Sequence, residues 1–577
     1  MTVALADLVA VSAEVAATRS RTAKTAALAG LLARADADEV GTVVAFLSGV
    51  LPQRRLGIGY RSLTSLPDPA VEPSLTVAEV DAAFDRLAGS AGAGSTASRR
   101  AELAGLMGRA TADEQAFLRA LMTGNLRQGA LDGVVLGAVA AAFEVPDAVV
   151  RRAVMLAGST HVVAGLAASG GQPALEEVGL VVGRPLRPML AASAKTTDEA
   201  VEGFAGADML VDGKLDGIRV QVHRRDGEVT VFTRSLDEIT ERVPEVVEAV
   251  DALPGGDLVL DGEAIVLREG GRPAPFQVTG ARTASSADVE RLRAEVPLTT
   301  FLFDVLHADG RDLVDASALE RHEVLTALAP HLVVPRLLTA DPAEAAAFFD
   351  ALVAAGHEGV VVKDAASPYA AGRRGSGWVK VKPTHTLDLV VLAVERGSGR
   401  RRGWLSNIHL GARDPDGDGY VMVGKTFKGM TDEMLRWQTE RFTELADGPT
   451  DGYVVTVRPE QVVEIALDGV QRSSRYPGAW RCGSRGSCAT ATTSRSTRST
   501  PSTRSARSAV PDQRRAEPTG GRHARHRVGG LEHDGGRVSR HRVVGRSAAR
   551  WGAPRPGPTR PGARGRRAAA RARRRCR

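Results

Sequence analysis

The segment Lys214-Leu215-Asp216-Gly217-Ile218-Arg219 puts a lysine, a carboxylate, a glycine and an arginine side by side, just ahead of a strand-like run. A lysine amine is a nucleophile only when unprotonated, and burial or neighbouring cations lower its pKa. Arg219 and the later Lys380 would do two things: depress the lysine and hold an anionic phosphate. Gly217 allows a ligand to approach the backbone closely. Taken alone, K-x-D-G in a hairpin-rich region is also an ordinary turn.

The elements that must position this segment change character along the chain. Residues 1–182 read as an all-α domain. Apolar residues recur at three- and four-residue spacing in VAFLSGVLP, ADEQAFLRALMTGNLRQG and ALDGVVLGAVAAAFEV. GRPLRPMLA (183–191), with two prolines, reads as a linker. Residues 183–383 read as an α+β domain with antiparallel sheet. IRVQVHRRDGEVTVFTR is two alternating strands around Asp226-Gly227, a hairpin signal. Residues 384–478 hold short strands interrupted by one helix, TDEMLRWQTERFTEL, which suggests a small β-barrel.

Charge and cysteine divide the chain differently. It has 577 residues and a formal net charge of +7. Residues 479–577 alone carry 26 Arg, no Lys and 4 acidic residues, whereas residues 1–478 are net −15. All three cysteines, Cys482, Cys488 and Cys576, lie beyond residue 478. The body therefore has no disulfide or cysteine metal site, which suits a reducing cytoplasm. At 43% hydrophobic and 25% charged the chain is not wholly disordered. No apolar run approaches the ~20 residues of a membrane helix. Asp7 inside the first apolar stretch, with no basic residues before it, argues against a signal peptide.

The lysine segment is one of an ordered set. After KLDGIR come, in order, FDVL (303–306), EGVVVK (358–363) and WVKVK (378–382), and with this set the chain resembles ATP-dependent DNA ligases of bacterial type with an N-terminal DNA-binding domain. They belong to a superfamily shared with RNA ligases and mRNA capping enzymes. KLDGIR (214–219) looks like motif I of that family, FDVL (303–306) motif III, EGVVVK (358–363) motif IV and WVKVK (378–382) motif V. Arg234 in FTRS and Glu263 in LDGEAI match two further positions, and Arg374 a third, with Arg373 its competitor.

The resemblance implies that Lys214 attacks the α-phosphate of ATP and forms a lysyl-AMP phosphoramidate. Asp212 stands where the family has an adenine-contacting acid, although the family often has Glu-Tyr where this chain has Asp212-Gly213. Arg219 and Arg234 would grip phosphate and ribose. Glu263 would hold ribose or metal, Phe303 would stack on adenine, and Glu358 would carry Mg²⁺ or Mn²⁺. Arg374 would contact the nucleotide, and Lys380 and Lys382 would neutralise the α-phosphate. Each has a plainer reading by itself: Phe303 a core ring, Glu263 a strand-end carboxylate, Glu358 an exposed charge, Arg374 a solvated loop cation. The implied substrate is nicked double-stranded DNA, handled by a cytoplasmic, nucleoid-associated monomer with no membrane contact. In LMTGNLRQGALDG (121–133), Arg127 and helix N-termini would face phosphate. Two rivals are an RNA ligase or capping-type nucleotidyltransferase, and a DNA-binding protein whose catalysis is impaired.

The second rival exists because of the C-terminus. The family closes its last domain, an OB-fold barrel, with a motif of the form RF-x-R-x-x-x-x-R-x-DK, which orients the pyrophosphate. Here LDGVQRSSRYPG runs into AWRCGSRGSCATATTSRSTRS. Residues 479–577 contain no Lys, Ile, Met, Phe, Tyr or Asn and one Leu, too little apolar surface to fold, so the tail is expected to be disordered. One reading is a nucleic-acid arm. The other is a shifted reading frame near Gly478. Sliding the frame back one base takes the second and third bases of each new codon from the first two of the present one. Residues 479–494 can then be read as GVALRFARVLRYRDDK, which has the missing motif's form, and 495–508 as SQHAVDTVDTVRAL.

Overall fold

The computed structural model describes residues 2–472 except 93, 127, 130–131, 205, 372–373, 399–400, 415–416, 428 and 468, and also Trp480–Gly483 and Ala491–Thr493. For 374–376, 469–472, 480–483 and 491–493 only the backbone is described. Arg127, Arg373 and most of the tail lie outside the described residues.

From Leu5–Ala17 to Thr160–Glu176 the chain is a succession of helices. Two begin with reciprocal caps: Thr76 with Glu79 at Val77–Gly89, and Thr111 with Glu114 at Ala112–Met122. Their apolar faces meet in a core that includes Leu8, Phe46, Phe84, Leu87, Met107 and Leu118. The loop after Met122 is pinned from inside. Buried Lys24 donates to the carbonyls of Gln128 (2.9 Å) and Gly129 (3.4 Å), and Gln128 bonds Ser12 and the Leu47 carbonyl.

The expected linker is not free chain. Leu186 donates its N–H to the Gln221 side chain at 2.7 Å, and its carbonyl accepts from the same amide at 3.2 Å. Gln221 thus satisfies both backbone groups, as a neighbouring strand would. Leu186 and Met189 are buried, and the stretch ends in a strand.

Ten strands follow, and they form two sheets. They are β1 (Leu190–Ala194), β2 (Met209–Lys214), β3 (Ile218–Arg225), β4 (Glu228–Thr233), β5 (Leu258–Val266), β6 (Leu298–Ala308), β7 (Arg311–Asp312), β8 (Arg336–Thr339), β9 (Gly359–Asp364) and β10 (Arg374–Val381). One sheet has the order β1-β10-β9-β2-β8, the other β4-β3-β5-β6-β7. All pairs are antiparallel except β1 with β10. The β3–β4 hairpin turns at Asp226-Gly227, both at positive φ (52° and 84°), the turn that suits twisted strands. Helices Thr197–Glu202 and Pro342–Ala354 cover the first sheet, Pro244–Asp251 and Ala318–Leu328 the second.

One arginine ties the second sheet to its covering helix. Arg224, on β3 and 5% exposed, donates to the carbonyls of Val250, Asp251, Leu253, Pro254, Gly255 and Gly256 at 2.7–3.3 Å. These include the Val250 and Asp251 carbonyls in the last turn of Pro244–Asp251, where the i+4 partner of Val250 is Pro254, which has no N–H. Arg224→Met is expected to lower stability by about 3 kcal/mol and Tm by roughly 6–12 °C, because buried carbonyls lose their donors. Arg225→Met, at the exposed neighbour, should change Tm by about 1 °C or less. Thermal melts of both variants check this.

Residues 385–467 contribute a separate sheet and one helix. Strands β11 (His385–Arg396), β12 (Leu405–Arg413), β13 (Tyr420–Thr426), β14 (Val454–Thr456) and β15 (Val462–Leu467) pair antiparallel. Helix Asp432–Glu444 sets Leu435 and Phe442 into their core. β16 (Gly469–Arg472) pairs with β17 (Trp480–Gly483), and β18 (Ala491–Thr493) lies along β15. β17 and β18 fall inside the segment expected to lack structure. Pairing needs only backbone donors and acceptors, so a poor apolar composition does not forbid it. Among the described residues β13 and β18 are the two ends of this sheet. No helix is long and apolar enough to cross a membrane among the described residues.

Candidate active site

Lys214 is the last residue of β2, opposite Gly359 of β9. The Glu358 N–H donates to the Lys214 carbonyl at 3.0 Å, which continues the ladder one step and brings the two side chains together. Lys382, just past β10, reaches the same carboxylate. Glu358 therefore bridges two ammonium groups, Lys214 on one oxygen and Lys382 on the other. The chain then crosses to the second sheet through Gly217. A Cβ there would collide with the Ala264 carbonyl and press on the Glu263 side chain. The Gly217 N–H donates to Glu263 Oε1 at 3.0 Å. At Gly359, φ is 139° and a Cβ would strike the Val381 carbonyl.

The electrostatics correct one expectation. Arg219 and Lys380 were expected to depress the Lys214 amine. Burial does pull it down, but Glu358, Glu263 and Asp216 outweigh burial and hold its pKa above the ordinary lysine value. Glu358 and Glu263 are brought in from distant parts of the chain, and Asp216 lies two residues on from the lysine. Burial pushes the Glu358 carboxyl up, and Lys214 and Lys382 more than offset that, so it stays below the ordinary range. Glu263 goes the other way: burial raises it to about 7, with Lys214 and Arg219 only partly opposing.

Arg219 is already engaged. It pairs with buried Asp261 (Nε to Oδ1 2.9 Å, Nη2 to Oδ2 2.5 Å) and donates to the Met189 carbonyl at 2.7 Å. Tyr369 donates to Asp261 Oδ2 at 2.8 Å and accepts from the Met189 N–H at 2.9 Å, so it braces the pair. Above them Phe303 meets Trp378 edge to face, ring centres 6.0 Å apart. Arg219 lies 5.4 Å from the Phe303 centroid and Lys363 5.1 Å.

Asp212 was assigned a contact to the base. It is 2% exposed, and both its oxygens are taken by Arg336 and Lys363. Lys380 lies on β10 opposite Val361, two residues from Lys382 on the same face. Arg234 stands exposed just past β4 and shares no ion pair with the cluster among the described residues. Arg374 opens β10 opposite Leu190, and its side chain lies outside the described residues. The structure thus gathers Lys214, Glu263, Glu358 and Lys382, with Arg219 and Phe303 beside them. Sequence reasoning missed Asp261, Arg336, Lys363, Tyr369 and Trp378. Asp261, Lys363 and Trp378 lie within or beside the quoted strands, where alternation would have marked them; nothing in VVPRLL marks Arg336.

The fold defines a class. The solved structure "Pmar-Lig_Pre." superposes with a TM-score of 0.54 at 18% identity, covering 82% of this chain and 96% of that one. A second, "Pmar-Lig_PreS3", gives 0.53 at 17% identity, with 82% and 97% covered. Similarity at this level is similarity of fold.

The sequence narrows it. The family model for the ATP dependent DNA ligase domain matches residues 188–382, and that for the DNA ligase N terminus matches 60–140. A "Probable DNA ligase" of Nocardioides sp. is 60% identical over 482 residues, covering 82% of this chain and 93% of the relative. One of Beutenbergia cavernae is 61% identical with the same coverage, and "DNA ligase B" of Mycobacterium tuberculosis is 56% identical over 477 residues, covering 82% and 94%. The chain belongs to the ATP-dependent DNA ligase family, enzymes that use ATP and act on DNA.

Proposed function

We propose that the Lys214 amine attacks the α-phosphorus of ATP, so that an N–P bond forms as the bond to pyrophosphate breaks. The AMP then passes to the 5′-phosphate at a nick in duplex DNA. The 3′-hydroxyl displaces AMP and closes the strand, all on one monomer. The observation that carries this reading is the Lys214–Glu358–Lys382 cluster at the end of the β2–β9 pair, with Glu263 beside it. Lys382 and Lys380 meet the charge that spreads over the phosphate oxygens in the transition state. Phe303 supplies a face for the base. Arg219 steadies the Phe303 and Trp378 rings, and Arg234 and Arg374 contact ribose or phosphate at the site's edge. The domains are residues 1–182, 183–383 and 384–478, the last an OB-fold. Because residues 1–478 are net acidic, DNA is held by local basic patches.

Glu358 and Glu263 fit a divalent cation. They are hard oxygen donors beside the lysine, and Mg²⁺ commonly takes one or two carboxylates and fills its remaining positions with water and phosphate. Such an ion would supply positive charge at the phosphates and draw the carboxylates off Lys214.

Incubation with α-labelled ATP and Mg²⁺, followed by a chase with nicked duplex, tests the reading. Label should join the protein and then move to DNA; label that never joins the protein refutes it.

Glu263 gives a further test. Its folded pKa is raised from 4.5 to about 7, so the folded state binds the proton more tightly than the unfolded state does. Stability therefore falls as pH rises from the unfolded to the folded value, and it stays low above that. Glu263→Gln removes this loss and keeps an acceptor for the Gly217 N–H. It should stabilise the unliganded protein at pH 8 by about 2–3 kcal/mol, and by much less at pH 4. Adenylation should fall at the same time. Melts at both pH values, run beside the labelling assay, check it.

A further inference from the structure

We infer that Tyr369 is a positioning residue for the nucleotide site: its hydroxyl holds Asp261 and Met189, and these two hold Arg219 so that one guanidinium N–H is left to face the nucleotide. This deepens the reading above and rests on Arg219 serving that site.

A guanidinium has five N–H donors. Arg219 Nε gives its hydrogen to Asp261 Oδ1. Nη2 gives one to Asp261 Oδ2 and turns the other to the Tyr369 oxygen at 3.3 Å. Nη1 gives one to the Met189 carbonyl. The second Nη1 hydrogen has no partner among the described residues, and the side chain is 15% exposed. That hydrogen is the donor Arg219 has to offer a ribose or phosphate oxygen. Which hydrogen is left depends on how the Arg219–Asp261 pair is turned. Asp261 is fully buried, and among the described residues its carboxylate accepts from Arg219 and Tyr369 alone. The Tyr369 hydroxyl therefore stops carboxylate and guanidinium from turning together.

Tyr369 is itself held. Three successive backbone N–H groups are engaged: Tyr369 donates to the Val314 carbonyl at 2.8 Å, Ala370 to Met189 Sδ at 3.4 Å and Ala371 to Met155 Sδ at 3.1 Å. The ring, on a residue 2% exposed, meets Trp378 edge to face at 5.8 Å, and the Arg321 guanidinium lies 5.9 Å from its centre. Burial, and then Asp261, hold the phenol well above the ordinary tyrosine pKa, so it remains a donor at neutral pH. One partner would satisfy a buried tyrosine hydroxyl. This one has three, on β3, on β5 and in the stretch before β1. It joins the two sheets and the incoming chain at the root of Arg219.

The test is a double-mutant cycle on the full chain, read as the equilibrium Kd for ATP in EDTA and run below the melting transition of every variant. Tyr369→Phe keeps the ring and its packing and removes the hydroxyl. It should weaken ATP by about tenfold, the scale of one lost hydrogen bond to a charged group. Arg219→Met alone should weaken ATP as well. In the Arg219→Met background Tyr369→Phe should add less than about twofold, because a residue acting through Arg219 has nothing left to act on. Asp261→Asn removes the charge to which the hydroxyl donates and provides the same cycle should Tyr369→Phe not fold. Two results overturn the inference. The two substitutions multiply, which means that Tyr369 acts independently of Arg219. Tm drops with Kd unchanged, which means structural support only. If Arg219→Met alone leaves Kd unchanged, the reading of Arg219 fails first and takes the inference with it, a pattern distinct from the other two.

Discussion

Lys214→Arg protein given α-labelled ATP and Mg²⁺ should carry no label, a loss on the order of 10⁴-fold or more, the scale of removing a covalent nucleophile. Arginine keeps the positive charge against Glu358, so the ion pair and the β2–β9 ladder persist. Its guanidinium never deprotonates near neutral pH, so it has no lone pair to give. The same variant should still seal a nick whose 5′-phosphate already carries AMP, because that step does not pass through the amine. Loss of both activities would mean that Lys214 serves the fold and not the chemistry. The carboxylates around Lys214 add a pH signature. They hold its pKa above 10.5, so the reactive fraction should grow roughly tenfold per pH unit between pH 7 and 9. For stability the sign is opposite. The pair's contribution is fully present below the ordinary lysine value and is lost as pH rises through the raised folded one. Lys214→Met should therefore melt below the parent at pH 8, and the gap should close above that range.

The site was legible where its chemistry lies along single strands. KLDGIR, EGVVVK and WVKVK each place a charged residue at a strand end, and the strand ends converge when β2, β9 and β10 pair. The hairpin at Asp226-Gly227 was legible because the turn itself demands those residue types. What could not be read is pairing across the chain. Asp212 meets Arg336 over 124 positions and Arg219 meets Asp261 over 42, and neither alternation nor spacing records such partners. The same gap explains the wrong sign at Lys214. In sequence its nearest basic neighbour is Arg219, but in space Asp261 neutralises that arginine and Glu358 arrives from β9. The stretch before β1 misled for a related reason. Two prolines read as a linker, whereas its backbone partner is a single side chain, Gln221.

The chain as written should adenylate itself with ATP at least about 100-fold more slowly than the chain read in the shifted frame from Gly478. That is the scale of losing one preorganised group at a developing charge. Residues 1–478 hold the lysine, the carboxylates and the ring platform, but no segment of the form RF-x-R-x-x-x-x-R-x-DK to orient pyrophosphate as it leaves. Read in the shifted frame, residues 483–494 can give RFARVLRYRDDK. The effect should be selective. Sealing of pre-adenylated nicks releases no pyrophosphate, so it should differ between the two proteins by less than about tenfold. The shifted reading also replaces the start of a tail of net +22 with a segment of mixed charge over 479–508, so DNA affinity should fall less steeply with salt. Resequencing across codons 470–500 tests the origin of the tail, and adenylation of the two proteins tests its consequence. A clean read with no missing or added base, together with normal lysyl-AMP formation by the written chain, would make the tail a genuine C-terminus and require pyrophosphate to be oriented by residues before 479.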